Sequence, residues 1–289
     1  MIPRVFRVLL LFAAVFSAAF ARAEETPPFF FIQLADPQFG MYAKDADFAQ
    51  ETANFEFAIA TVNRLKPAFV VVSGDLVSKT GDAAQCDEYL RIVGKLDRSI
   101  RLYQMPGNHD LGNTPTPESL AAYTARFGPD HYSFRHGNMA GIVLNSAIIH
   151  DPKRVAKQAA EQEAWLREEL AKAKRDNVRH VVVFQHHCWF LKTADEADNY
   201  ENIPLTERTK YLDLFRQHGV KFSFAGHHHG NQIARDGDFE MVITCAIGQP
   251  LGKDGSGLRV VIVRSDRIEH RYYEMGRMPN KIELTAKSE

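Results

Sequence analysis

Five short polar clusters hold six of the twelve histidines of this sequence, together with aspartates and an asparagine that could bind a metal. Each follows directly on an apolar run with the composition of a buried strand. The clusters are Asp36-Pro37-Gln38, Gly74-Asp75, Gly107-Asn108-His109-Asp110, Gln185-His186-His187 and Gly226-His227-His228-His229. Ligands of an open α/β sheet bind beyond the carboxyl ends of its strands. We therefore expect these clusters to converge in space, although they lie far apart in the sequence.

The donor atoms in these clusters suit a pair of divalent transition ions. They are the carboxylates of Asp36 and Asp75, the imidazoles of His186, His227 and His229, and the amide oxygen of Asn108. This mixture of oxygen and nitrogen, with no thiolate, fits Mn²⁺, Fe²⁺ or Zn²⁺ better than Ca²⁺. The two oxygens of Asp75 could bridge ions about 3.5–4 Å apart. A water held between such ions would lose a proton near neutral pH and could attack phosphorus.

Alternating apolar runs and amphipathic segments predict an α/β fold in which the clusters end the strands. Strands are expected at 29–35, 68–73, 100–105, 178–184 and 220–225, and helices at 47–66, 82–98, 114–127, 155–175 and 206–218. A hairpin at 132–145 and four short strands after residue 231 complete the pattern. This order predicts two strand-rich layers between helices. No linker or repeat divides the chain, so we predict one domain at 27–275 and a C-terminal tail at 276–289.

Residues 1–23 have the organisation of a signal peptide. Arg4 and Arg7 precede the weakly polar to apolar run Val8–Phe20, and Ala21-Arg22-Ala23 has the small-x-small pattern of a cleavage site. The run is shorter than the roughly 20 residues of a bilayer span. We therefore predict an exported protein, periplasmic or secreted, with no stable membrane span after cleavage. An uncleaved anchor is the alternative.

The charge balance argues against a nucleic-acid-binding protein. Lysine and arginine number 35 and aspartate and glutamate 36, a net charge of −1. Loss of residues 1–23, with their three arginines and no acid, would leave −4. Neither value gives the basic excess that binds nucleic-acid phosphates. The three cysteines, Cys86, Cys188 and Cys245, are too few for a disulfide framework. Buried free thiols are expected, and a single bridge stays open.

The order and spacing of the clusters resemble those of the calcineurin-like metallophosphoesterases, whose signature runs D-x-H, G-D, G-N-H-D/E, H, G-H-x-H. Longer segments resemble one subfamily over most of residues 29–274: FFFIQLADPQFG, GNHDLGNTPTPE, VFQHH, CAIGQPLGKDGSGLRVVIV and HRYY. The resemblance implies a four-layer αββα fold, a β-sandwich flanked by helices.

The same resemblance implies roles for single residues. Asp36 and His229 would hold the first metal, Asp75 would bridge, and Asn108, His186 and His227 would hold the second. His109 would not be a ligand. Its imidazolium would contact a phosphate oxygen and protonate the leaving group, while Asp110 would orient His109 or cap the following turn. His187 and His228 are not expected to be ligands, although either could contact substrate.

Two departures from the superfamily pattern bear on activity. Gln38 stands where most members have histidine, and its neutral amide oxygen is a poorer metal donor than imidazole. The resembled subfamily shares this glutamine. In Gly74-Asp75-Leu76-Val77-Ser78-Lys79 the arginine that follows the aspartate in calcineurin-type protein phosphatases is missing. Lys79 could replace it only as a point charge.

Taken together, the sequence predicts a metal-dependent hydrolase of phosphomonoesters. Its substrates would be phosphorylated small molecules or phosphoproteins, and the resembled subfamily suggests phosphoserine or phosphothreonine. An exported nucleotidase or phosphodiesterase is the alternative within the enzymes. Outside them, Gln38 motivates an inactive, metal-stabilised binding module.

Overall fold

The computed structural model describes residues 26–284, which form eleven strands and seven α-helices. The strands are β1 Phe29–Leu34, β2 Phe69–Ser73, β3 Arg101–Met105, β4 Tyr132–His136, β5 Met139–Val143, β6 His180–Phe184, β7 Phe222–Ala225, β8 Gln232–Asp236, β9 Phe239–Ile243, β10 Gly257–Val263 and β11 Ile268–Glu274. The helices are α1 Ala49–Leu65, α2 Ala83–Val93, α3 Asn108–Leu111, α4 Pro117–Phe127, α5 Ser146–His150, α6 Ala156–Arg175 and α7 Leu205–His218. The predicted signal peptide and residues 285–289 lie outside the described residues.

The strands form two mixed sheets, of which the first has antiparallel strands at one edge and the second at both edges. The first sheet has the order β11-β10-β1-β2-β3, in which β1, β2 and β3 are parallel. The second has the order β4-β5-β6-β7-β9-β8, in which β5, β6, β7 and β9 are parallel. The carboxyl ends of β1, β2 and β3 in one sheet, and of β6 and β7 in the other, are where the five clusters begin.

The period-two pattern of β1 shows how the layers are built. Phe31 packs in the apolar cluster between the sheets, while Ile32 and Leu34 pack in the cluster beneath α1 and α2. A third apolar cluster lies between the second sheet and the helices α6 and α7. Three apolar interfaces separate four layers, so the predicted αββα architecture is confirmed.

The helix and strand predictions agree with the structure except at the end of α2 and at two one-turn helices. α1 ends at Leu65, two residues before Pro67, as the pattern indicates. α2 ends at Val93 rather than near residue 98, because Gly94 follows it. The one-turn helices α3 and α5 were not predicted. Four or five residues are too few to display a helical period.

The C-terminal segment lies against the domain. Ile282 and Leu284 pack on the cluster beneath the first-layer helices, and the Arg264 guanidinium donates to the Leu284 carbonyl at 2.6 Å. All three cysteines are buried free thiols, as expected. Among the described helices, none combines the length and apolar composition needed to cross a bilayer.

Removing one ring from the inter-sheet core should destabilise the whole fold. Phe31 is fully buried and stacks on Phe69, with ring centroids 4.8 Å apart. The ring of Phe184 packs against it in a T-shaped arrangement. We expect Phe31→Ala to lower the free energy of unfolding by about 3–5 kcal/mol in urea titrations. Phe57→Ala, at a ring that is 44% exposed on α1, is the control and should stay within about 0.5 kcal/mol. Equal effects would contradict this account of the core.

Candidate metal centre

Two overlapping groups of buried acidic and histidine side chains lie where the two sheets meet. One group is Asp75, His186 and His227, and the other is Asp36, Asp75 and His229. Within each group the candidate ligand atoms all lie within 4.8 Å of one another. Asp75 belongs to both groups. The five residues come from both sheets, so the predicted convergence of the strand-end clusters has occurred.

A left-handed backbone turns the ligands toward the centre. Five of the seven predicted metal-binding residues have positive φ: Asp36 at 49°, Gln38 at 39°, Asp75 at 46°, His227 at 69° and His229 at 56°. Such a conformation costs a non-glycine residue about 1–3 kcal/mol and recurs at functional sites. Three of these residues, Asp36, Asp75 and His227, stand two positions after the last residue of β1, β2 and β7.

Two glycines allow the loops to pack against the carboxylates. A Cβ on Gly107 would clash with the Asp75 carboxylate, and a Cβ on Gly226 would clash with that of Asp36. These glycines precede Asn108 and His227. The close approach explains why these two clusters begin with glycine.

Backbone carbonyls select the nitrogen that each imidazole turns toward the centre. His186 Nδ1 lies 2.8 Å from the Ser73 carbonyl, and His229 Nδ1 lies 2.6 Å from that of Gln249. For His227 it is Nε2 that meets a carbonyl, that of Tyr200, at 3.1 Å. The opposite nitrogens then face inward, with His186 Nε2 only 3.2 Å from Asp75 Oδ2. Hydrogen bonding of the outer ring nitrogen in this way is typical of metal-binding histidines.

Asn108 is held in place by a residue that sequence reasoning missed. Its Oδ1 lies 3.0 Å from His186 Nε2, while its Nδ2 donates to the Tyr200 hydroxyl at 2.9 Å and to Asn113 Oδ1 at 2.8 Å. The Tyr200 ring also packs on that of His227, with centroids 4.9 Å apart. Tyr200 lies between β6 and α7, outside every cluster. Its only sequence signal is a lone aromatic residue in a polar segment.

Gln38 fits a metal site through an atom that lacks a partner. Its backbone N–H donates to the Asp75 carbonyl at 2.8 Å. Its side-chain Oε1 is buried and accepts no hydrogen bond from the described residues. A buried acceptor without a partner costs about 1–3 kcal/mol, and a coordinated cation would remove that cost. The donor set therefore suits metal ions, and Gln38 belongs with it.

The charges of the buried groups depend on one another. Burial raises the pKa of Asp36 to about 6. Burial would also raise the pKa of Asp75, but the neighbouring His186 holds it below its usual range. Against its own desolvation, His186 has its pKa raised to about 9 by Asp75. Burial lowers the pKa of His227 to about 3, so this ring is neutral.

His109 lies beside the centre without joining either group of ligands. Its backbone N–H donates to Asp75 Oδ1 at 2.9 Å, and its Nδ1 lies 2.6 Å from the Ser78 carbonyl. Asp110 accepts the Gly107 N–H at 2.8 Å and also the Leu76 N–H at 2.9 Å, so its carboxylate bonds to residues that precede it rather than to the turn that follows. It thereby joins the two loops that carry Asp75 and Asn108.

Three other residues singled out by the sequence lie outside the ligand groups, although the ring of His187 packs on that of His227 with centroids 4.5 Å apart. Lys79 Nζ lies 3.9 Å from the Asp82 carboxylate and is largely exposed. His228 pairs through Nδ1 with the carboxylate of Glu201. His187 is buried, and its ring stacks on that of His150 with centroids 4.6 Å apart.

Comparison with known proteins identifies the family and agrees with the fold. The family described as Calcineurin-like phosphoesterase matches residues 31–231. The human Serine/threonine-protein phosphatase CPPED1 is 38% identical over 283 residues, covering 91% of this chain and 90% of that protein. A dimetal phosphatase from Danio rerio superposes with a TM-score of 0.60 at 16% identity, covering 86% of this chain and all of that one. Purple acid phosphatase PPD1 from yellow lupin superposes with a TM-score of 0.66 at 13% identity, covering 87% of this chain and 52% of that one.

Metal binding should release a proton and strengthen as the pH rises. With a pKa of about 9, His186 carries a proton at pH 7 in the metal-free protein, and a cation at Nε2 must displace it. We expect Mn²⁺ affinity to increase by up to about tenfold per pH unit between pH 6 and 9. Calorimetry in two buffers of different ionisation enthalpy should find about one proton released at pH 7. The His186→Gln variant should release fewer protons. Heats of Mn²⁺ binding that are the same in both buffers for the wild type would contradict the assignment of a protonated His186.

Loss of the Tyr200 hydroxyl should weaken metal binding while the fold persists. Tyr200→Phe keeps the ring and the carbonyl that contact His227 but removes the acceptor that orients Asn108. We expect the Mn²⁺ concentration that gives half-maximal activity to rise about tenfold, at the low end of the 10–100-fold loss of metal affinity that follows removal of such outer partners. Tyr103→Phe, whose ring stacks on Phe134, is the matched control and should leave that concentration unchanged. An unaltered Mn²⁺ titration for Tyr200→Phe would contradict the assigned role.

Proposed function

Because this chain belongs to the calcineurin-like phosphoesterase family, we propose that it hydrolyses phosphate monoesters at a centre of two divalent metal ions. The observation that carries the proposal is the position of Asp75. Its carboxylate is common to both groups of candidate ligands, and a shared carboxylate is what a pair of ions needs to sit close together.

Two sets of residues would hold the ions. The first set is Asp36, Gln38, Asp75 and His229, and the second is Asp75, Asn108, His186 and His227. When bound, two divalent ions supply positive charge to the phosphate oxygens and lower the pKa of the attacking water. The buried position of the ligands keeps bulk water away and strengthens these electrostatic interactions.

His109 is proposed as the proton donor to the leaving oxygen. Its Nδ1–H donates to the Ser78 carbonyl at 2.6 Å, which fixes the ring and leaves Nε2 to carry the mobile proton. Its backbone N–H holds Asp75 Oδ1, so the proton donor and the shared carboxylate keep a constant separation. As the ester bond breaks, the Nε2 proton passes to the departing alcohol oxygen.

Phosphoserine and phosphothreonine esters are the proposed natural substrates. The support comes from six relatives that are named serine/threonine-protein phosphatases. They are 34–38% identical to this chain, and the matches cover 86–91% of this chain and 84–90% of the relatives. No arginine follows Asp75 to clamp the phosphate. In this proposal the ions and His109 supply the charge for phosphate binding.

Replacing the shared carboxylate tests the proposal. With added Mn²⁺, we expect Asp75→Asn to lower kcat/KM for 4-nitrophenyl phosphate by about a hundredfold or more, beyond the cost of losing an outer partner. Asp238→Asn, at an exposed carboxylate paired with Lys221, is the control and should match the wild type. Wild-type-like turnover by Asp75→Asn would overturn the proposal. Faster hydrolysis of bis(4-nitrophenyl) phosphate than of the monoester would favour a diesterase instead.

A further inference from the structure

A cavity of 170 Å³ lies directly beside the proposed metal centre. Its walls are Asn108, Asn113, Ala147, His150, His187 and Tyr200. Asn108 belongs to both the cavity and the proposed second metal site, so a group attached to a phosphate on that site could enter the cavity. The mechanism proposed above uses none of the other five residues to contact substrate.

The walls of the cavity suit a flat, uncharged group. They include no aspartate, glutamate, lysine or arginine, so a charged substituent would find no partner of opposite charge there. The rings of His150 and His187 stack with an interplanar angle of 17°, and Ser146 Oγ holds His187 Nδ1 at 3.0 Å. Tyr200 adds a third ring, and it is 56% exposed. Ring faces and ring edges of this kind pack well against another aromatic ring.

The size of the cavity limits what can enter. An engineered cavity of about 150 Å³ in another protein holds benzene, so this volume accommodates one six-membered ring. Pockets for larger, drug-sized ligands are about 300–1,000 Å³. A nucleoside, with a base and a sugar, is therefore too large, and the hydroxyl-bearing carbon of a serine ester would leave most of the cavity empty.

We infer that this cavity is a subsite for a monocyclic aromatic group, so that the enzyme favours phosphate monoesters whose leaving group carries such a ring, arylmethyl phosphates and the phosphotyrosine side chain among them. This inference rests on the proposed function. In the reaction, water adds to phosphorus and the bond from phosphorus to the ester oxygen breaks. The leaving oxygen takes a proton, and the products are inorganic phosphate and a phenol or an arylmethyl alcohol.

Benzyl phosphate and ethyl phosphate provide a direct test, because both release a primary alcohol and differ chiefly in the ring. We expect the wild type with Mn²⁺ to show a kcat/KM about tenfold or more higher for benzyl phosphate, the scale of apolar discrimination in a pocket. Ala147→Leu fills the cavity and should bring the ratio of the two kcat/KM values close to one. Ala121→Leu, on the exposed side of α4, is the matched control and should keep the wild-type ratio.

Each outcome bears on one of the two proposals. Absence of wild-type hydrolysis of both esters and of 4-nitrophenyl phosphate would overturn the proposed function, whereas hydrolysis of 4-nitrophenyl phosphate with none of benzyl phosphate would overturn the subsite. Hydrolysis of benzyl and ethyl phosphate with equal kcat/KM, or an unchanged ratio in a folded Ala147→Leu variant, would overturn the subsite and leave the phosphatase proposal standing. If circular dichroism shows that Ala147→Leu does not fold, His150→Ala takes its place. That variant removes one of the stacked rings, and a ratio unchanged by it would equally overturn the subsite.

Discussion

Two carboxylates, Asp36 and Asp75, are buried together at the line where the sheets meet, and much of the structure serves to keep them there. A charge removed from water is costly unless it is paired and hydrogen-bonded. Asp36 accepts the His227 backbone N–H at 3.0 and 3.1 Å, and Asp75 lies against His186 and the His109 backbone N–H. The loops, the glycines and the left-handed residues around the centre follow from this need to surround two oxygen-rich groups closely.

A chain of buried hydrogen bonds beneath the centre sets the position of one sheet against the other. The Gln33 amide of β1 donates to the Ala225 carbonyl of β7 at 3.0 Å and accepts from Thr244 at 2.7 Å. The buried Arg259 of β10 in turn donates to Thr244 at 2.7 Å and to Asn231 at 2.8 Å. Apolar surfaces alone tolerate small shifts, whereas hydrogen bonds have strict geometry. Ligands carried by different sheets can therefore hold constant distances.

The loops above the centre are joined by residues that are not themselves candidate ligands. Asp110 connects the loops after β2 and β3 through backbone amides, and Tyr200 connects Asn108 to His227. These contacts place the side chains that surround the proposed substrate, so both the metal geometry and the adjacent cavity depend on the segment between β6 and α7.

The α/β class, the order of the long elements and six candidate ligands could be predicted from the sequence, because apolar periodicity and residue type are local properties, and the family resemblance added Gln38. Tertiary structure decided what depends on contacts between distant segments. The carbonyls of Ser73, Gln249 and Tyr200 orient the three imidazoles, and any residue type supplies a carbonyl, so no sequence pattern could reveal them. The same holds for the partnerless oxygen of Gln38, for Lys79, which contacts Asp82, and for the cavity beside Asn108. Each follows from how loops from two sheets close over a buried pair of carboxylates.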